Sequence, residues 1–390
     1  MNIVTPWYPS PAHPYNGVFV QQQADALRRL GATVEVEVPE IFPAPRGPVP
    51  QRVFDAMSSL ARSTPRAMFR QDDSVTRIPA AVPSQIGALG RARAFEESLR
   101  LRRGVDSPSF DVTHAHLGVP TGLAVIALSD APVVITEHQS ALPRLLEDEA
   151  IRRVYRTLIE RCATFLTVSS TLRDAMLEAL GPIAADVEVL PNIVDFDALP
   201  ARDDTPTDYR KWIYVGTLVE HKGVGMLLDA FTTYQRNHDA DATLTLVGDG
   251  PMRGYIEAYA DRHGIEDHLT LHGGLPHRDV ARHLANADVL VHLSPFETFG
   301  IAPIEAIATG TPVVVRENGG STYAWGDIAS RCGLLLEPDV TAGEVADAIA
   351  ELRDRPNTLD LPSARRVMTD RYSAGVIGGR LLEIYESHAA

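Results

Sequence analysis

Short apolar runs alternate with amphipathic stretches along most of the chain, a pattern typical of parallel strands joined by helices. Residues 2–7 predict a buried strand, residues 18–31 a helix that ends in glycine, and residues 33–40 a second strand. The same alternation is clear again from residue 111 onward. The first half of the chain is therefore predicted to form a doubly wound α/β domain.

The second half repeats this plan after a polar stretch rich in proline and aspartate near residues 195–208, which we interpret as a linker. We expect two Rossmann-like domains, residues 1–198 and 199–372, followed by a final helix over about 375–388. The strands predicted in the second domain lie within residues 211–218, 242–250, 269–275 and 288–294.

Residues 41–108 show the weakest pattern, because eight prolines and scattered arginines interrupt it. We predict irregular connections there, with a strand near Val75–Ile78 and a helix over roughly Gln85–Arg102. Any binding specificity that this region carries cannot be inferred from its pattern.

Composition narrows the class of protein. With 390 residues, 45% of them hydrophobic, the chain is long enough for two cores. The net charge of −15 argues against a nucleic acid partner, because phosphate binding needs a basic surface. There is no long apolar run, no signal-peptide pattern, and no cysteine beyond Cys162 and Cys332. We therefore expect a cytoplasmic protein whose arginine clusters allow at most peripheral contact with a membrane or an anionic acceptor.

The most informative stretch is residues 294–315, in which Glu297 and Glu305 lie on either side of a turn that opens a helix. Apolar residues recur at helical spacing from Pro303 onward, and Gly310 suits a left-handed cap. We therefore expect Glu297 in the loop and Glu305 in the first helical turn. A helix N-terminus with free amides binds anions, so two carboxylates beside it suit a ligand with phosphate and hydroxyl groups, such as a nucleotide sugar.

Spacing alone also fits an ordinary helix start, because glutamate and glycine are common at helix ends. The segment and the strands on either side of it resemble the paired-glutamate signature of the retaining family 4 glycosyltransferases. The resemblance covers nearly the whole chain and is strongest over residues 187–336. It implies the GT-B fold, in which two Rossmann-like doubly wound α/β domains face a central cleft. It also implies that the C-terminal segment, residues 373–390, packs back on the first domain.

The resemblance further implies that the second domain binds a nucleoside-diphosphate sugar. Glu305 would accept from the ribose, Glu297 would hold the sugar hydroxyls, and Lys222 would hold the diphosphate at a helix start. Lys222 is one of only two lysines in the chain, so a lysine at this position stands out against the arginines. Relatives carry an arginine where this chain has Thr217, which removes a bidentate phosphate donor. The other expected donor-binding residues are Thr298, Phe299, Gly300, Ile301, Gly248, Gly250, His272, Gly273 and Leu275.

In the first domain, the ends of strands carry the candidate acceptor-binding residues, because open α/β sheets bind ligands at the carboxyl ends of their strands. His116 matches the family histidine that faces the donor sugar, and we group it with Glu297 and Lys222 as catalytic. The residues expected to meet the acceptor are Asn16, Gly17, Glu137 and His138.

We expect no metal site. The H-x-H pair His114 and His116 is interpreted as pointing to opposite faces of a strand, and no HExxH partner is present. Asp195 and Asp197 form a D-x-D within the linker, where helix capping explains them more simply. His277 is interpreted as a turn residue.

The sequence thus predicts a metal-independent retaining glycosyltransferase that needs no cofactor and moves a hexosyl group to a hydroxyl acceptor. We favour a UDP-sugar donor, with a GDP-sugar second, and expect attack on the same face that the leaving group departs. A nucleotide-sugar epimerase or a sugar phosphorylase of the same fold is an alternative. Because Thr217 replaces the usual arginine, a catalytically silent subunit that binds nucleotide sugars is another. The pattern identifies neither the acceptor, the pathway nor the oligomeric state.

Overall fold

The computed structural model describes residues 1–44, 69–83, 86–105, 108–202, 204–355 and 358–389. The irregular connections expected in 41–108 therefore lie largely outside the described residues. The chain divides into two compact units. Unit 1 comprises Met1–Tyr8, Phe19–Pro191 and Ile377–Ala390, and unit 2 comprises Pro9–Val18 and Asn192–Val376.

Unit 1 is built on a sheet with eight strands among the described residues, in the order β3-β4-β2-β1-β5-β6-β7-β8. Neighbouring strands are parallel except for β3 and β4, which are antiparallel. The strands are β1 Asn2–Val4, β2 Glu35–Ala44, β3 Arg70–Asp72, β4 Val75–Pro83, β5 Thr113–His116, β6 Val133–Glu137, β7 Thr164–Thr167 and β8 Glu188–Val189. The accompanying helices are α1 Val18–Arg29, α2 Ala88–Val105, α3 Leu123–Ile126, α4 Leu142–Leu145, α5 Glu149–Arg161 and α6 Ser170–Leu180.

Unit 2 contains a parallel sheet with six strands in its described part, in the order β11-β10-β9-β12-β13-β14. Counted from β9, this is the 3-2-1-4-5-6 order of a Rossmann sheet. The strands are β9 Lys211–Val215, β10 Thr243–Val247, β11 Leu269–Gly273, β12 Val289–His292, β13 Val313–Arg316 and β14 Gly333–Leu336. The helices are α7 Val224–Asn237, α8 Arg253–His263, α9 His277–Asn286, α10 Ile301–Thr309, α11 Gly320–Trp325, α12 Ala329–Cys332, α13 Ala342–Asp354 and α14 Leu361–Tyr372.

The central strands are buried along their whole length, as expected for parallel sheets that helices cover on both faces. Every residue of β1, β5, β6 and β12 is buried. In unit 2, the ring of Trp212 packs against Phe231 and Tyr234, with ring centroids 5.5 and 5.0 Å apart. The continuous apolar runs of the sequence therefore form the central strands. The polar candidate site residues lie at the carboxyl ends of these strands.

The predicted two-unit α/β architecture is confirmed, with local differences. The division between the units falls at Pro191, so the stretch expected as a linker belongs to unit 2, where Val194 and Phe196 are buried. The helix expected over 85–102 is observed as Ala88–Val105, and Gln85 lies outside the described residues.

The final helix, α15 Ala374–His388, belongs to unit 1 from Ile377 onward. Its Tyr385 and His388 hydrogen-bond within unit 1 to His114 and Thr164, at 2.6 and 2.8 Å. These contacts agree with the expectation that the tail packs on the first domain. In the described ranges, no helix has the length and apolar character needed to cross a bilayer.

Candidate active site

The loop and helix that carry the two glutamates follow the buried strand β12. Gly300 precedes α10 in a left-handed conformation, with φ 79°, and Gly310 ends the helix with φ 80°, as predicted for a glycine cap. The helix begins at Ile301, earlier than the apolar spacing from Pro303 suggests. The prediction that Glu305 lies in the first turn is therefore wrong, because Glu305 lies in the second turn, after the free N–H groups.

Glu297 is buried in the loop and holds two nitrogen donors on one oxygen. Its Oε1 lies 2.7 Å from Nζ of Lys222 and 2.8 Å from Nε2 of His292. Lys222 comes from the turn after β9, and His292 is the last residue of β12. The carboxyl ends of two neighbouring central strands, β9 and β12, thus bring a lysine and a histidine to the same carboxylate oxygen.

The charge state of Glu297 follows from these partners. Burial by itself would raise the pKa of Glu297, because it disfavours the ionised form. The hydrogen bond and charge of His292, followed by the charge of Lys222, outweigh burial and lower this pKa to about 2. Glu297 is therefore an ionised acceptor at neutral pH.

The backbone around Glu297 is tied to the segment that leads into α11. Its N–H donates to the carbonyl of Asn318 at 3.2 Å, and its own carbonyl accepts from the N–H of Gly320 at 3.1 Å. A Cβ on Gly320 would lie 2.5 Å from the Glu297 carbonyl oxygen, so only glycine permits this approach.

Three buried polar atoms near this loop have no hydrogen-bond partner in the part of the chain that the structure describes. They are Nδ1 of His292, Nδ2 of Asn318 and Oγ of Ser321. Ser321 Oγ lies under the turn at Gly300, where an added Cβ would come within 2.8 Å of it. Such orphans are rare inside proteins, and a ligand at this loop would give them partners.

Glu305, the second carboxylate, is also buried and also has a histidine partner. Nε2 of His277, the first residue of α9, lies 2.8 Å from Glu305 Oε1. Burial would lower the pKa of His277, but the hydrogen bond and charge of Glu305, with a further share from Asp195, raise it above its ordinary value. The interpretation of His277 as a turn residue only is therefore wrong.

The turn that carries Lys222 is closely packed. A 3-10 turn, Glu220–Lys222, leads to Gly223 in a left-handed conformation with φ 74°, and α7 starts immediately after it. A Cβ on Gly223 would lie 2.2 Å from the carbonyl oxygen of Leu293. Gly223 thus permits the lysine turn to lie directly against the chain that leads to Glu297.

Thr217 lies in the loop before this turn, where relatives carry an arginine. Its carbonyl accepts a hydrogen bond from the Tyr214 hydroxyl at 3.1 Å, and the Tyr214 ring stacks on His292 with centroids 5.7 Å apart. Arg253, a candidate substitute for the missing arginine, is half-exposed and paired with Glu257 at 3.0 Å. Thr217 therefore contributes backbone packing near the carboxylate.

The other expected donor-binding residues fall into two groups. Thr298, Phe299, Gly300 and Ile301 form the entry to α10, and the buried Phe299 ring packs edge-on against Tyr372. Gly248, Gly250, His272, Gly273 and Leu275 lie at the ends of β10 and β11.

The glycines of the second group permit close backbone contacts. A Cβ on Gly248 would lie 1.9 Å from the Gly216 carbonyl, and one on Gly250 would lie 2.3 Å from the Leu218 carbonyl. Internal packing thus explains both glycines without a ligand. The His272 ring packs on His283 with centroids 4.3 Å apart.

In unit 1, three histidine rings form a stack at the ends of β5 and β6. His114 and His116 have centroids 4.5 Å apart, and His116 and His138 have centroids 5.0 Å apart. The prediction that His114 and His116 point to opposite faces is wrong, because residues two apart on a strand share a face. Gln23 Nε2 lies 3.1 Å from His114 Nδ1 and 3.4 Å from His116 Nε2.

His114 and His116, the two fully buried histidines of this stack, are neutral at neutral pH. Burial lowers the pKa of His114 to about 3, with the charge of His138 as a second cause. Burial likewise holds the pKa of His116 well below its ordinary value. His116 is fully buried, whereas His138 is 9% exposed, so His138 is the ring nearest to solvent. The resemblance implies a direct contact of His116 with a sugar, and such a contact would require the residues that bury His116 to move.

Glu137 is an internal anchor. Its carboxylate accepts from the backbone N–H groups of Gly118, His138 and Gln139 at 2.8 to 2.9 Å, and from the Tyr155 hydroxyl at 2.5 Å. Glu137 is fully buried, and burial raises its pKa despite these donors. Glu137 therefore holds the ends of β5 and β6 together within unit 1, and its contact with an acceptor stays a prediction.

Asn16 and Gly17 lie before α1, in the segment Pro9–Val18 that belongs to unit 2. Gly17 has φ 69°, a left-handed backbone conformation that favours glycine. Tyr15 packs beside Gly274, on which a Cβ would come within 1.9 Å of the tyrosine ring. The assignment of this loop to the first domain therefore differs from the observed division.

Asp195 precedes a short 3-10 turn, Phe196–Ala198, but its side chain makes no capping hydrogen bond. Asp195 thus occupies the position before the turn, as the capping interpretation expects, but its side chain does not cap the turn. Among the described residues, no group of three or more acidic, histidine or cysteine side chains is arranged to hold a metal ion.

Sequence reasoning missed three polar residues of these clusters. His292 lies in a continuous apolar strand, Gln23 lies on an amphipathic helix, and Tyr385 lies far along the chain. Their positions predict packing, since nothing local shows which distant side chain each will meet. The one available signal was His292, a polar residue at the carboxyl end of a central strand.

Taken together, these observations define an α/β protein whose candidate site, in unit 2, places a buried ionised carboxylate beside a lysine turn at the strand ends of a Rossmann-ordered sheet. Two family models match the chain: Glycosyltransferase Family 4 over residues 17–198 and Glycosyl transferases group 1 over residues 195–366. A glycogen synthase of Mycobacterium tuberculosis is 29% identical over 311 residues, which cover 76% of this chain and 74% of that protein.

Solved structures agree in fold. The sucrose-phosphate synthase of Thermosynechococcus elongatus superposes with a TM-score of 0.76 at 19% identity, covering 99% of this chain and 98% of that one. The HepE protein of Anabaena, solved in complex with UDP and glucose, has a TM-score of 0.70 at 17% identity and 99% coverage of both chains. The chain belongs to the family 4 glycosyltransferases and has the GT-B fold.

Proposed function

We propose that this enzyme transfers a hexosyl group from a nucleoside-diphosphate sugar, a UDP-sugar first and a GDP-sugar second, to a hydroxyl acceptor with retention of configuration. The observation that carries the proposal is the ionised Glu297, held on one oxygen by Lys222 and His292 beside the free N–H groups at the start of α10. The complex of HepE with UDP and glucose supports the choice of uridine.

In this proposal, unit 2 binds the donor. The helix N-terminus and Lys222 hold the diphosphate, because both are positive and close to the carboxylate loop. Glu297 accepts from the sugar hydroxyls, and Glu305 accepts from the ribose. Asn318 Nδ2 and Ser321 Oγ, which have no partner among the described residues, gain partners from the same ligand.

The chemical step is a same-face displacement. The bond from the anomeric carbon to the phosphate oxygen breaks, and the bond to the acceptor oxygen forms on the same face. The departing phosphate oxygen takes the proton of the acceptor hydroxyl. Lys222 and the helix N-terminus stabilise the negative charge that develops on the diphosphate. No metal or cofactor is needed in this scheme, since the lysine and the amides supply the positive charge.

Replacement of Glu297 tests the proposal. Glu297→Gln keeps the size of the side chain but removes the charge, and we expect turnover to fall about 10²- to 10³-fold. Binding of UDP, measured by calorimetry, should stay within about threefold of wild type, because the nucleoside does not contact Glu297. The exposed Glu351→Gln is the matched control in the same unit. Equal loss of turnover and UDP binding in Glu297→Gln would contradict the assigned role.

The stereochemical course needs its own measurement. Proton NMR of the product formed from an α-linked UDP-sugar should show an α-linkage at the anomeric centre. A β-linked product would contradict retention, and formation of a new sugar without any acceptor would indicate an epimerase.

A catalytically silent subunit that binds nucleotide sugars is the second candidate, favoured by Thr217 at the place of the usual arginine. Thr217→Arg tests it. If the missing arginine had abolished catalysis, this substitution should create transfer activity in a protein that otherwise only binds. If wild type already transfers sugar, the silent-subunit candidate is excluded.

A further inference from the structure

Each carboxylate of the pair has a histidine of its own. Nε2 of His292 and Oε1 of Glu297 are 2.8 Å apart, and Nε2 of His277 and Oε1 of Glu305 are also 2.8 Å apart. The two histidines come from different elements: His292 ends β12, and His277 begins α9. The two carboxylate–histidine pairs therefore have the same hydrogen-bond distance, although their histidines come from a strand and a helix at different places in unit 2.

The burial of His292 indicates which nitrogen carries its proton. Its Nδ1 is buried and has no partner in the described part of the chain, while Nε2 faces a carboxylate. An ionised carboxylate oxygen can only accept a hydrogen bond, so Nε2 carries a proton. Tyr214 stacks on the ring with an interplanar angle of 7° and holds its plane. His292 is thus a fixed donor aimed at Glu297.

The contacts fall on one oxygen of each carboxylate. Within the described residues, Lys222 and His292 both meet Oε1 of Glu297, and His277 meets Oε1 of Glu305. A carboxylate held by one oxygen has a defined plane, and its other oxygen is left to accept from a ligand. A side chain that is already oriented loses less entropy when the ligand binds.

We propose that His292 and His277 are positioning residues, His292 presenting Glu297 to the sugar and His277 presenting Glu305 to the nucleoside. This inference rests on the proposed function, because it uses the ligand ends assigned to the two glutamates. Lys222 faces both Glu297 and the diphosphate, so His292 is the partner that stays dedicated to Glu297 when the donor is bound.

Binding of both kinds of ligand to both histidine variants tests these two separate roles. His292→Phe and His277→Phe are compared with wild type by calorimetry, using UDP against UDP-glucose and GDP against GDP-mannose. We expect His292→Phe to weaken the nucleotide sugar about tenfold or more, while the matching nucleoside diphosphate binds nearly as in wild type. We expect His277→Phe to weaken the nucleoside diphosphate and the nucleotide sugar by the same factor.

Two further variants separate positioning from structure. Gln in place of each histidine keeps an N–H donor of similar reach, so His292→Gln and His277→Gln should recover most of the lost affinity. His238→Phe is the matched control, because Nε2 of His238 lies 2.8 Å from Oδ1 of Asp347 in an ion pair on the surface. Thermal unfolding of each variant shows whether a loss of binding reflects a loss of folding.

The outcomes are distinct. Equal effects of the two phenylalanine variants on both ligands, or no recovery with glutamine, would overturn the inference. Wild type that binds UDP-glucose but transfers no glucose would contradict the proposed function, while the crossed binding pattern would still support or overturn the positioning roles. Wild type that binds neither pair of ligands would overturn both.

Discussion

The buried glutamates Glu137 of unit 1 and Glu297 of unit 2 have pKa values shifted in opposite directions. Glu137 of unit 1 accepts from three backbone N–H groups and from Tyr155, yet burial still raises its pKa. Among the described residues, Glu297 of unit 2 has two side-chain partners, Lys222 and His292, and its pKa is lowered to about 2. Backbone amides and a hydroxyl thus offset only part of the cost of burying Glu137, whereas the hydrogen bond and charge of His292, followed by the charge of Lys222, outweigh it at Glu297.

The histidines show the same contrast. Burial without an acidic partner lowers the pKa of His114 to about 3, whereas Glu305 and Asp195 raise that of His277 despite its burial. Unit 1 therefore uses buried polar residues to hold strand ends and loops together. Unit 2 keeps charged residues at a helix entry, where a charged ligand can compete for them.

The largest effect is expected where the lysine turn meets the carboxylate loop. Gly223→Ala must leave the left-handed region or strain it, and its Cβ would collide with the Leu293 carbonyl. Together these costs predict a loss of about 3 to 4 kcal/mol in the free energy of unfolding by urea.

The control for this variant is Gly264→Ala, which has a similar φ of 69° but no atom within 4 Å of the added Cβ. We expect it to cost about 1 kcal/mol. Equal costs at Gly223 and Gly264 would show that the close approach is unimportant and that only backbone conformation matters.

Removal of the cation that sets unit 2 apart should have the next largest effect. Lys222→Met leaves Glu297 buried without its positive partner, and we expect about 3 kcal/mol less stability at pH 7. A carboxyl with a depressed pKa contributes stability that is fully present above its unfolded value, near 4.5, and is lost as pH falls towards 2. The difference between Lys222→Met and wild type should therefore shrink as pH falls below 4.5.

Urea unfolding at pH 7 and at pH 4 measures this difference. Lys211→Met, at the exposed start of β9, is the matched control, since Lys211 is the other lysine of the chain. A Lys222→Met protein as stable as wild type at pH 7 would show that His292 alone suffices for Glu297.

The anchor of unit 1, Glu137, whose donors carry no charge, should be less sensitive. Tyr155→Phe removes one of the four donors to Glu137, and a hydrogen bond to a charged group contributes about 2 kcal/mol. Urea unfolding should show this loss, while the affinity for UDP should stay unchanged. A change in UDP affinity without a loss of stability would place Glu137 at the ligand and would undo the contrast between the units.

The smallest effect on stability at pH 7 is expected from the titration of the histidine stack, which changes stability only as the pH falls. Burial lowers the pKa of His114 in the folded protein to about 3, below its ordinary value of 6.5, so between these pH values the unfolded chain binds a proton that the folded protein does not. The resulting contribution of His114 to the free energy of unfolding is fully present above pH 6.5. It is lost as pH falls towards 3, by up to about 1.4 kcal/mol per pH unit.

His114→Gln should therefore flatten the fall of stability between pH 6.5 and 4.5, measured by urea unfolding at half-unit steps. The exposed His13→Gln is the control and should leave the slope unchanged. Identical slopes for wild type and His114→Gln would mean that His114 takes up protons within the folded protein.

Local signals were sufficient for most of the architecture. Apolar runs such as the strand before Glu297 predicted central strands, because strands covered on both faces need apolar residues throughout. Glycines such as Gly310 predicted helix ends correctly, since only the backbone conformation at that residue matters. The start of α10 was misplaced because Ile301 and Ala302 extend the helix on the N-terminal side of Pro303.

The sequence by itself determined the alternation of strands and helices, the presence of two α/β units, and the loop, helix and glycine that frame Glu297 and Lys222. These features depend on residues close together in the chain and on the resemblance that their order carries. Tertiary structure alone decided which carboxylate receives a cation and which receives backbone amides, and it paired His292 with Glu297, His277 with Glu305 and Tyr385 with His114. The physical reason is that electrostatics and burial depend on distances of a few ångströms between strand ends far apart in sequence, and no local pattern encodes those distances.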